Sequence, residues 1–211
     1  GLTLSTNAAR KRLEVRNAEL LEQYYAEQKS VLLYAGHQGN WEWLAWLPLY
    51  IPHKVLSFYQ PLSNTYFDQL MQRIRSQFGT ECVASKRGYR AVMKLERKGI
   101  PTLNIMIGDQ RPRKGSRMEW VPFLERSTPF LGGADQIARR ARQVVVFSYF
   151  QKPRRGHYIL HFIPLAEDLA QTTSSELIGQ YADYLEKAIQ ENPDMWLWSH
   201  KRWKLIQPRG K

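Results

Sequence analysis

The sequence predicts an α/β protein with a central, mostly parallel sheet flanked by helices. Segments with the pattern of buried strands alternate with amphipathic segments of helical period along most of the 211 residues. This order favours parallel strands joined by helices. The two most apolar strand candidates, residues 31–35 and 102–107, are each followed at once by glycine and polar side chains. Such clusters are typical of the carboxyl ends of strands in these sheets, where sites are usually built.

The individual elements are predicted from hydrophobic period and from the residues that begin or end helices. Thr173 and Glu176 predict a capping box at the start of the last helix, and glycine or proline is predicted to end several of the others. The basic segment 111–131 carries no regular pattern and is predicted as a long binding or lid loop. We predict helices over residues 5–28, 41–48, 63–78 and 87–98, from the glycine pair 132–133 to 142, and over 173–192, with strands over 31–35, 55–59, 102–107, 144–150 and 158–163.

The charge balance favours an anionic partner. There are 31 Lys and Arg residues against 19 Asp and Glu, which gives a net charge of +12. Nucleic acid, membrane headgroups or an acidic protein would suit such a chain. The sequence also has 7 Trp and 11 Tyr. Basic residues mixed with aromatic ones suit a membrane interface or single-stranded nucleic acid, and composition does not separate these two partners.

Several classes of protein are excluded or disfavoured. A single cysteine, Cys82, excludes an internal disulfide and a cysteine-based metal cluster, and its apolar neighbours predict a buried, inert thiol. His157 and His161 have no acidic or cysteine neighbour and are interpreted as structural, so we expect neither a metal nor a cofactor. The longest uncharged apolar run, residues 43–51, is far short of the roughly 20 residues that span a bilayer. The phosphate-loop, dinucleotide-binding and serine-hydrolase motifs are missing from the sequence.

The first polar cluster contains a histidine and a carboxylate. Gly36 and Gly39 allow a sharp turn around His37 after the strand. Asn40 is a good N-cap for the following helix, and Glu42 lies in its first turn. A turn of this kind could bring the carboxylate back to the imidazole, fix its tautomer and make it a general base. A purely structural histidine in a tight turn is the alternative.

The second polar cluster is Asp109 with Gln110, directly after the strand predicted over 102–107. An aspartate in this position can serve only to close a turn. Parallel strands, however, bring their carboxyl ends together, so this cluster and His37 are predicted to share a cleft. Because no protein nucleophile is evident, the sequence favours direct transfer, in which His37 activates a hydroxyl group of the substrate.

Several further motifs follow one another in order along the chain. They are His37-Gln-Gly-Asn-Trp-Glu42, Asn64-x-x-Phe-Asp68 leading into Arg75-Ser-Gln-Phe-Gly79, Gly108-Asp109-Gln110, Val121-Pro-Phe-Leu with Thr128 and Gly132, and Trp196-Leu-Trp-Ser-His-Lys-Arg-Trp-Lys204. Together they resemble the bacterial lipid A biosynthesis (lauroyl/myristoyl) acyltransferases, within the wider glycerolipid acyltransferase superfamily. The first motif is similar to the His-x4-Glu motif of that family, and the second resembles its helix with an active-site arginine.

This resemblance implies a glycerol-3-phosphate acyltransferase-like fold and transfer of an acyl chain from acyl carrier protein, or another thioester, to a hydroxyl of a lipid A precursor. His37 would be the general base and Glu42 its orienting partner, while Arg75, Asp109 and Gln110 would bind or position substrates. The partners would be acyl carrier protein, an anionic lipid and the membrane surface, with no nucleic acid. We expect a single domain over residues 1–211 at the cytoplasmic face of the bacterial inner membrane, trimmed of an N-terminal membrane helix.

The resemblance leaves alternatives open. The segment after Asp109 is Arg111-Pro-Arg-Lys, which is more basic than the acidic continuation common in the family. Another bacterial lipid, such as an aminolipid or a lysophospholipid, is therefore a second candidate for the acceptor. A basic nucleic-acid-binding domain would instead predict binding with a steep salt dependence and no role for His37. An interaction protein without catalytic activity on the membrane surface is a further alternative.

Overall fold

The computed structural model describes residues 4–205. Residues 1–3 and 206–211 of the predicted single domain lie outside the described residues. The helices are α1 Thr6–Arg10, α2 Glu19–Ala26, α3 Thr65–Arg75, α4 Gly88–Glu96, α5 Ala134–Arg140 and α6 Ser174–Glu191, with a 3₁₀ helix at Trp41–Leu49. The strands are β1 Leu13–Val15, β2 Val31–Ala35, β3 Lys54–Tyr59, β4 Glu81–Ala84, β5 Thr102–Ile107, β6 Met118–Phe123, β7 Arg126–Leu131, β8 Val144–Arg154 and β9 His157–Ala166.

The predicted mixed α/β class with a mostly parallel central sheet is confirmed. Seven strands form one sheet in the order β1-β9-β8-β2-β5-β3-β4, and every neighbouring pair is parallel except β8 with β9. Strand β2 is central and fully buried, which agrees with its continuous apolar sequence. Strands β2, β3, β4, β5 and β8 run in the same direction, so their carboxyl-terminal ends lie at one edge of the sheet. This edge is called the carboxyl edge below.

The core lies on both faces of the sheet, because successive residues of β2 point to opposite sides. Val31, Leu33 and Ala35 pack with apolar residues of α1, α2 and the 3₁₀ helix. Leu32 and Tyr34 pack against α6 and the β6–β7 hairpin. The predicted capping box begins α6: Thr173 accepts from the backbone of Glu176, whose carboxylate accepts from the backbone of Thr173.

The predicted helix over residues 5–28 is wrong. The structure divides this segment into α1, β1 and α2, and β1 joins the edge of the sheet in parallel with β9. Asn17, at a positive φ of 47°, ends the strand, and its side chain bonds to both the backbone N–H and the carbonyl of Phe162. A contact with a residue so distant in the chain overrides the helical preference of the segment.

The predicted loop over residues 111–131 is also wrong in its second half. Met118–Phe123 and Arg126–Leu131 form an antiparallel hairpin, with Met118 opposite Leu131 and Phe123 opposite Arg126. The hairpin packs on α6, and its Phe123 and Phe130 side chains are fully buried. Residues 111–117 remain irregular and leave the carboxyl edge directly after β5.

Cys82 also differs from its prediction. Its side chain on β4 is only partly buried. Burial still raises the pKa of its thiol, and a thiol with a raised pKa is a poor nucleophile at neutral pH.

Candidate active site

Two neighbouring strands bring His37 and Asp109 together. In the parallel pairing of β2 with β5, Ala35 lies opposite Ile107. His37 and Asp109 each follow two residues later, so they leave the carboxyl edge side by side. A Cβ atom at the intervening Gly36 would lie 2.5 Å from Leu185 Cδ1 of α6, so any larger residue would force the buried Leu185 side chain to move. The shared cleft predicted from the two strand ends thus has a direct structural basis.

Asp109 holds the histidine through two contacts. His37 Nδ1 lies 2.5 Å from Asp109 Oδ1, and the backbone N–H of His37 donates to Oδ2 at 2.9 Å. Asp109 is 2% exposed, whereas the His37 side chain is 17% exposed. A buried carboxylate therefore fixes the ring with Nδ1 turned inward and leaves Nε2 on the side of the accessible cleft.

The Asp109 carboxyl is an acceptor and remains ionised. Burial by itself raises its pKa, but hydrogen bonds and charge interaction with His37, together with a hydrogen bond from Trp196, lower the pKa by more. Its net pKa is thus below the ordinary value. An ionised carboxylate in this position can orient an imidazole and stabilise the imidazolium that forms when Nε2 takes a proton.

Glu42 has a different partner from the one predicted. Its carboxylate receives two hydrogen bonds from Arg75 of α3, at 2.7 Å from Nε and 2.6 Å from Nη2. The predicted pairing of Glu42 with His37 is therefore wrong, because the carboxylate beside His37 Nδ1 is that of Asp109. The segment after Asn40 is a 3₁₀ helix without a side-chain cap, not the predicted capped α-helix, and it directs Glu42 toward α3.

Gln110 lies on the open side of the histidine, and its Nε2 is 3.3 Å from His37 Nε2. An amide donor thus stands close to where a hydroxyl group would have to donate its proton. The five predicted site residues are all close together: His37, Glu42, Arg75 and Gln110 line one cleft, and Asp109 lies directly behind His37.

The cleft has a volume of about 700 Å³ and is partly open to solvent. Its walls combine apolar side chains with the charged Glu42–Arg75 pair. His37 also lines the cleft, beside Trp41, whose ring centroid is 5.1 Å from that of the imidazole. Such a site suits a ligand with a long apolar part and a polar end. The apolar lining includes Leu44, Phe58, Leu62, Phe67, Met71, Ile107 and Leu131.

Sequence reasoning missed the part played by the C-terminal segment. Trp196 Nε1 donates to Asp109 Oδ2 at 2.7 Å, and Gln38 forms a β-bridge with Trp196. The His37 carbonyl accepts from Leu197, and the carbonyl of Met195 accepts from Gly39. The aromatic and basic composition of this segment marks it in the sequence, but nothing there indicates which strand end it contacts.

The rest of this segment ties further loops to the site. His200 Nε2 accepts a 3.0 Å hydrogen bond from the backbone N–H of Arg111, just after the Asp109-Gln110 pair. Arg202 is buried over the ring of Phe130. Burial lowers the pKa of Arg202 to about 10, so its guanidinium stays charged at neutral pH.

Two further observations concern the part of the chain between residues 4 and 205. There, no group of three or more His, Cys, Asp and Glu side chains is arranged to hold a metal ion. None of the helices in that range has the length and hydrophobicity needed to span a bilayer.

A buried carboxylate behind a histidine that lines a cleft at the carboxyl edge of an α/β sheet is an arrangement suited to a general base. The chain belongs to the bacterial lipid A biosynthesis acyltransferase family, whose sequence model matches residues 2–205. A search of curated proteins finds no significant match. Membership of the family supports an acyltransferase of lipid A biosynthesis and agrees with the observed fold.

Proposed function

We propose that this acyltransferase moves a fatty acyl chain from the thioester of acyl carrier protein to a hydroxyl group of a lipid A precursor. The observation that carries the proposal is the His37–Asp109 pair at 2.5 Å, in which His37 lines a cleft with largely apolar walls. The family supplies the reaction class, and the pair supplies a base that can act on a hydroxyl group without a protein nucleophile.

In this mechanism His37 Nε2 accepts the hydroxyl proton while the hydroxyl oxygen attacks the thioester carbonyl. The new C–O bond forms, the C–S bond breaks, and the thiolate that leaves takes the proton back from His37. Asp109 holds Nδ1 and stabilises the transient imidazolium. Gln110, 3.3 Å from Nε2, gives way to the hydroxyl group or donates to the oxyanion that develops.

Glu42 and Arg75 have a second role in the proposal. The two-point contact with Glu42 raises the pKa of Arg75 and fixes its guanidinium at the wall of the cleft. Its remaining N–H donors suit a phosphate group of either the carrier or the acceptor. The sequence-based dyad of His37 with Glu42 is thus replaced by two pairs, His37–Asp109 for proton transfer and Glu42–Arg75 for anion binding.

The first test removes the base. His37→Ala should lower the turnover of acyl-carrier-protein thioester by a factor of at least about 10², while circular dichroism shows an unchanged fold. His157→Ala is the matched control, since this histidine lies at the exposed turn between β8 and β9 and bonds only to nearby residues of that turn. Equal turnover by the His37 variant and the control would refute the mechanism.

The second test identifies the substrates. Parallel assays with acyl carrier protein and coenzyme A thioesters compare the donors, and mass spectrometry of lipids from cells with and without the protein identifies the acceptor. We expect a lipid A precursor that gains one acyl chain at the cytoplasmic face of the inner membrane. An acylated aminolipid or lysophospholipid would instead favour the alternative acceptor suggested by the basic segment after Asp109.

A further inference from the structure

Helix α3 carries apolar side chains that are not buried in the core. None of its residues is buried, although Tyr66, Phe67, Leu70 and Met71 lie within two turns of it. Tyr66 is 85% exposed and Phe67 is 52% exposed. A helix with this composition ordinarily buries its apolar face in the protein interior or in another apolar phase.

Most of the other exposed apolar residues also lie toward the carboxyl edge. Leu62 and Leu131 line the mouth of the catalytic cleft, and Tyr89 begins the helix that follows β4 at the carboxyl edge. Trp198 stacks edge-on against Trp196, next to Asp109. Among the large hydrophobic side chains exposed within residues 4–205, only Ile100 lies at the opposite edge of the sheet, before β5.

Positive charge is concentrated at the same edge. Exposed cations follow β4, follow β5 and lie at the tip of the β8–β9 hairpin, all at the carboxyl edge. The basic segment before β1 lies beside this hairpin, since the Tyr158 N–H donates to the Arg12 carbonyl. Of the carboxylates at the cleft, Glu42 is paired with Arg75 and Asp109 with His37. Asp68 of α3 also lines the cleft and accepts hydrogen bonds from the Leu62 N–H and from Gln72 Nε2. The cations are Lys86, Arg87, Arg113, Lys114, Arg154, Arg155, Lys11 and Arg12.

The opposite edge shows a balance of both signs. There Lys29 pairs with Glu27 at 2.7 Å, and Lys54 pairs with Glu81 at 3.3 Å. The carboxyl edge therefore differs from the opposite edge in two ways: it has more exposed apolar surface and more positive charge without an acidic partner. This is the combination that an anionic lipid surface attracts, since apolar side chains enter the headgroup region while cations remain at its surface.

We propose that the cleft rim, defined as Leu62, Tyr66, Phe67 and Leu70 with Lys86 and Arg87, docks on an anionic lipid bilayer. The inference rests on the proposed function, because it supplies the route by which a lipid acceptor reaches His37. Leu62 and Phe67 belong both to the rim and to the cleft wall, so apolar surface is continuous from the exterior to the site. A lipid could thus enter the cleft without crossing water.

An acidic carrier protein is the competing occupant, but the observations favour the bilayer. Cations alone would attract an acidic protein, whereas the exposed aromatic and aliphatic residues of α3 call for an apolar phase. Tyr66 and Leu70 lie four residues apart on one face of α3, which is the spacing of an interfacial helix. Neither residue lines the cleft, so both can be changed without altering the proposed site.

The first experiment measures binding of the 211-residue chain to vesicles of phosphatidylethanolamine and phosphatidylglycerol by co-sedimentation. Tyr66→Gln with Leu70→Gln should weaken binding about tenfold or more, because buried apolar area is lost. Ile100→Gln is the matched control, since Ile100 and Leu70 are each 38% exposed. This variant should bind vesicles as tightly as the wild-type chain does. Equal binding by the α3 variant and the control would overturn the proposal.

The second experiment compares two charge reversals that leave the net charge identical. Lys86→Glu with Arg87→Glu at the carboxyl edge should weaken vesicle binding about tenfold or more. Arg97→Glu with Lys98→Glu, exposed residues near the opposite edge, should have little effect. If both pairs weaken binding equally, attraction is a property of the whole chain and the docking surface is refuted.

A third measurement separates the docking surface from the proposed function. Turnover of a soluble acyl thioester with acceptor dispersed in detergent should be unchanged in the Tyr66 and Leu70 variant, because no bilayer has to be reached. If even the unchanged chain shows no such turnover, the proposed function fails while the vesicle result stands. If the rim variants instead lose affinity for acyl carrier protein and keep vesicle binding, the rim is a protein-docking site and the bilayer proposal is overturned.

Discussion

Trp196 donates a 2.7 Å hydrogen bond from its indole Nε1 to Asp109 Oδ2, the oxygen that also accepts the backbone N–H of His37. The Asp109 carboxylate is therefore held from two separate parts of the chain, the turn at His37 and the C-terminal segment at Trp196. This contact makes Trp196 a positioning residue, which acts on the histidine only through Asp109.

Removal of the indole donor should slow the reaction without weakening substrate binding. In Trp196→Phe, the aromatic packing is mostly retained while Asp109 loses one of the hydrogen bonds that fix it. We expect kcat to fall about tenfold with KM unchanged. Trp198→Phe is the control, because its Nε1 donates to the Pro193 carbonyl in the same segment. Equal effects of the two changes would assign Trp196 a structural role only.

Neutralisation of the carboxylate tests the His37–Asp109 pair directly. Asp109→Asn keeps the size of the side chain but can present an amide N–H to His37 Nδ1 and favour the wrong tautomer. Turnover of acyl thioester should fall by a factor of at least about 10², with a far-UV circular dichroism spectrum like that of the unchanged protein. Asp183→Asn, on the exposed side of α6, should leave turnover as it was. Full activity in the Asp109 variant would exclude the pair from catalysis.

The convergence of the two strand ends could be predicted from sequence, but the pairing of their side chains could not. The apolar runs before His37 and Asp109 indicate parallel neighbours, and parallel neighbours share an edge. The sequence favours Glu42 as the partner, because a turn followed by the start of a helix can bring its carboxylate back to the imidazole and because the segment resembles the His-x4-Glu motif. The decisive contact instead depends on strand register, which places Ala35 opposite Ile107 and is set by the whole sheet.

The β6–β7 hairpin was missed because its turn lacks the usual residues. Leu124 and Glu125 occupy the two turn positions with φ of 49° and 60°, where glycine or asparagine is expected. The Leu124 backbone N–H donates to Glu186 of α6, so tertiary contacts hold a turn that local preference disfavours. The resemblance of residues 196–204 to a family signature was visible, but its contact with Asp109 required the fold.

Gly36 should be intolerant of even one methyl group. Gly36→Ala places a Cβ atom 2.5 Å from Leu185 Cδ1 in a fully buried site, and should lower the free energy of unfolding by about 1–3 kcal/mol in urea denaturation. Gly179→Ala is the opposite case, because a Cβ there meets nothing within 4 Å and alanine favours a helix by roughly 0.5–1 kcal/mol. The double variant Gly36→Ala with Leu185→Ala should cost less than the sum of the two single changes; strict additivity would contradict the proposed clash.

His200 should contribute a pH-dependent component of stability. Burial and the nearby Arg111 and Arg202 lower the pKa of His200 below 6.5. His200 is therefore protonated at a lower pH in the folded state than in the unfolded state. The contribution is fully present above about pH 6.5 and is lost as the pH falls from there toward the folded pKa. The unchanged protein should thus lose more stability between about pH 7.5 and 5.5 than His200→Gln does.

Urea denaturation at the two pH values measures this difference. His157→Gln serves as the control for the loss of a histidine at another site, because this half-buried residue at the β8–β9 turn contacts Arg154 and Arg155 of the same turn. An identical loss of stability in the His200 variant would show that the Arg111 contact does not depend on the protonation of His200.

The β-bridge between Gln38 and Trp196, with the bond from Gly39 N–H to the Met195 carbonyl, also has a consequence for biosynthesis. A nascent chain that has emerged from the ribosome only as far as α6 already contains His37, Asp109 and the whole sheet, yet its histidine turn is still incomplete. Enzymatic competence therefore requires that residues 195–197 have been made, and products of premature termination upstream of Met195 are expected to be inert toward thioesters.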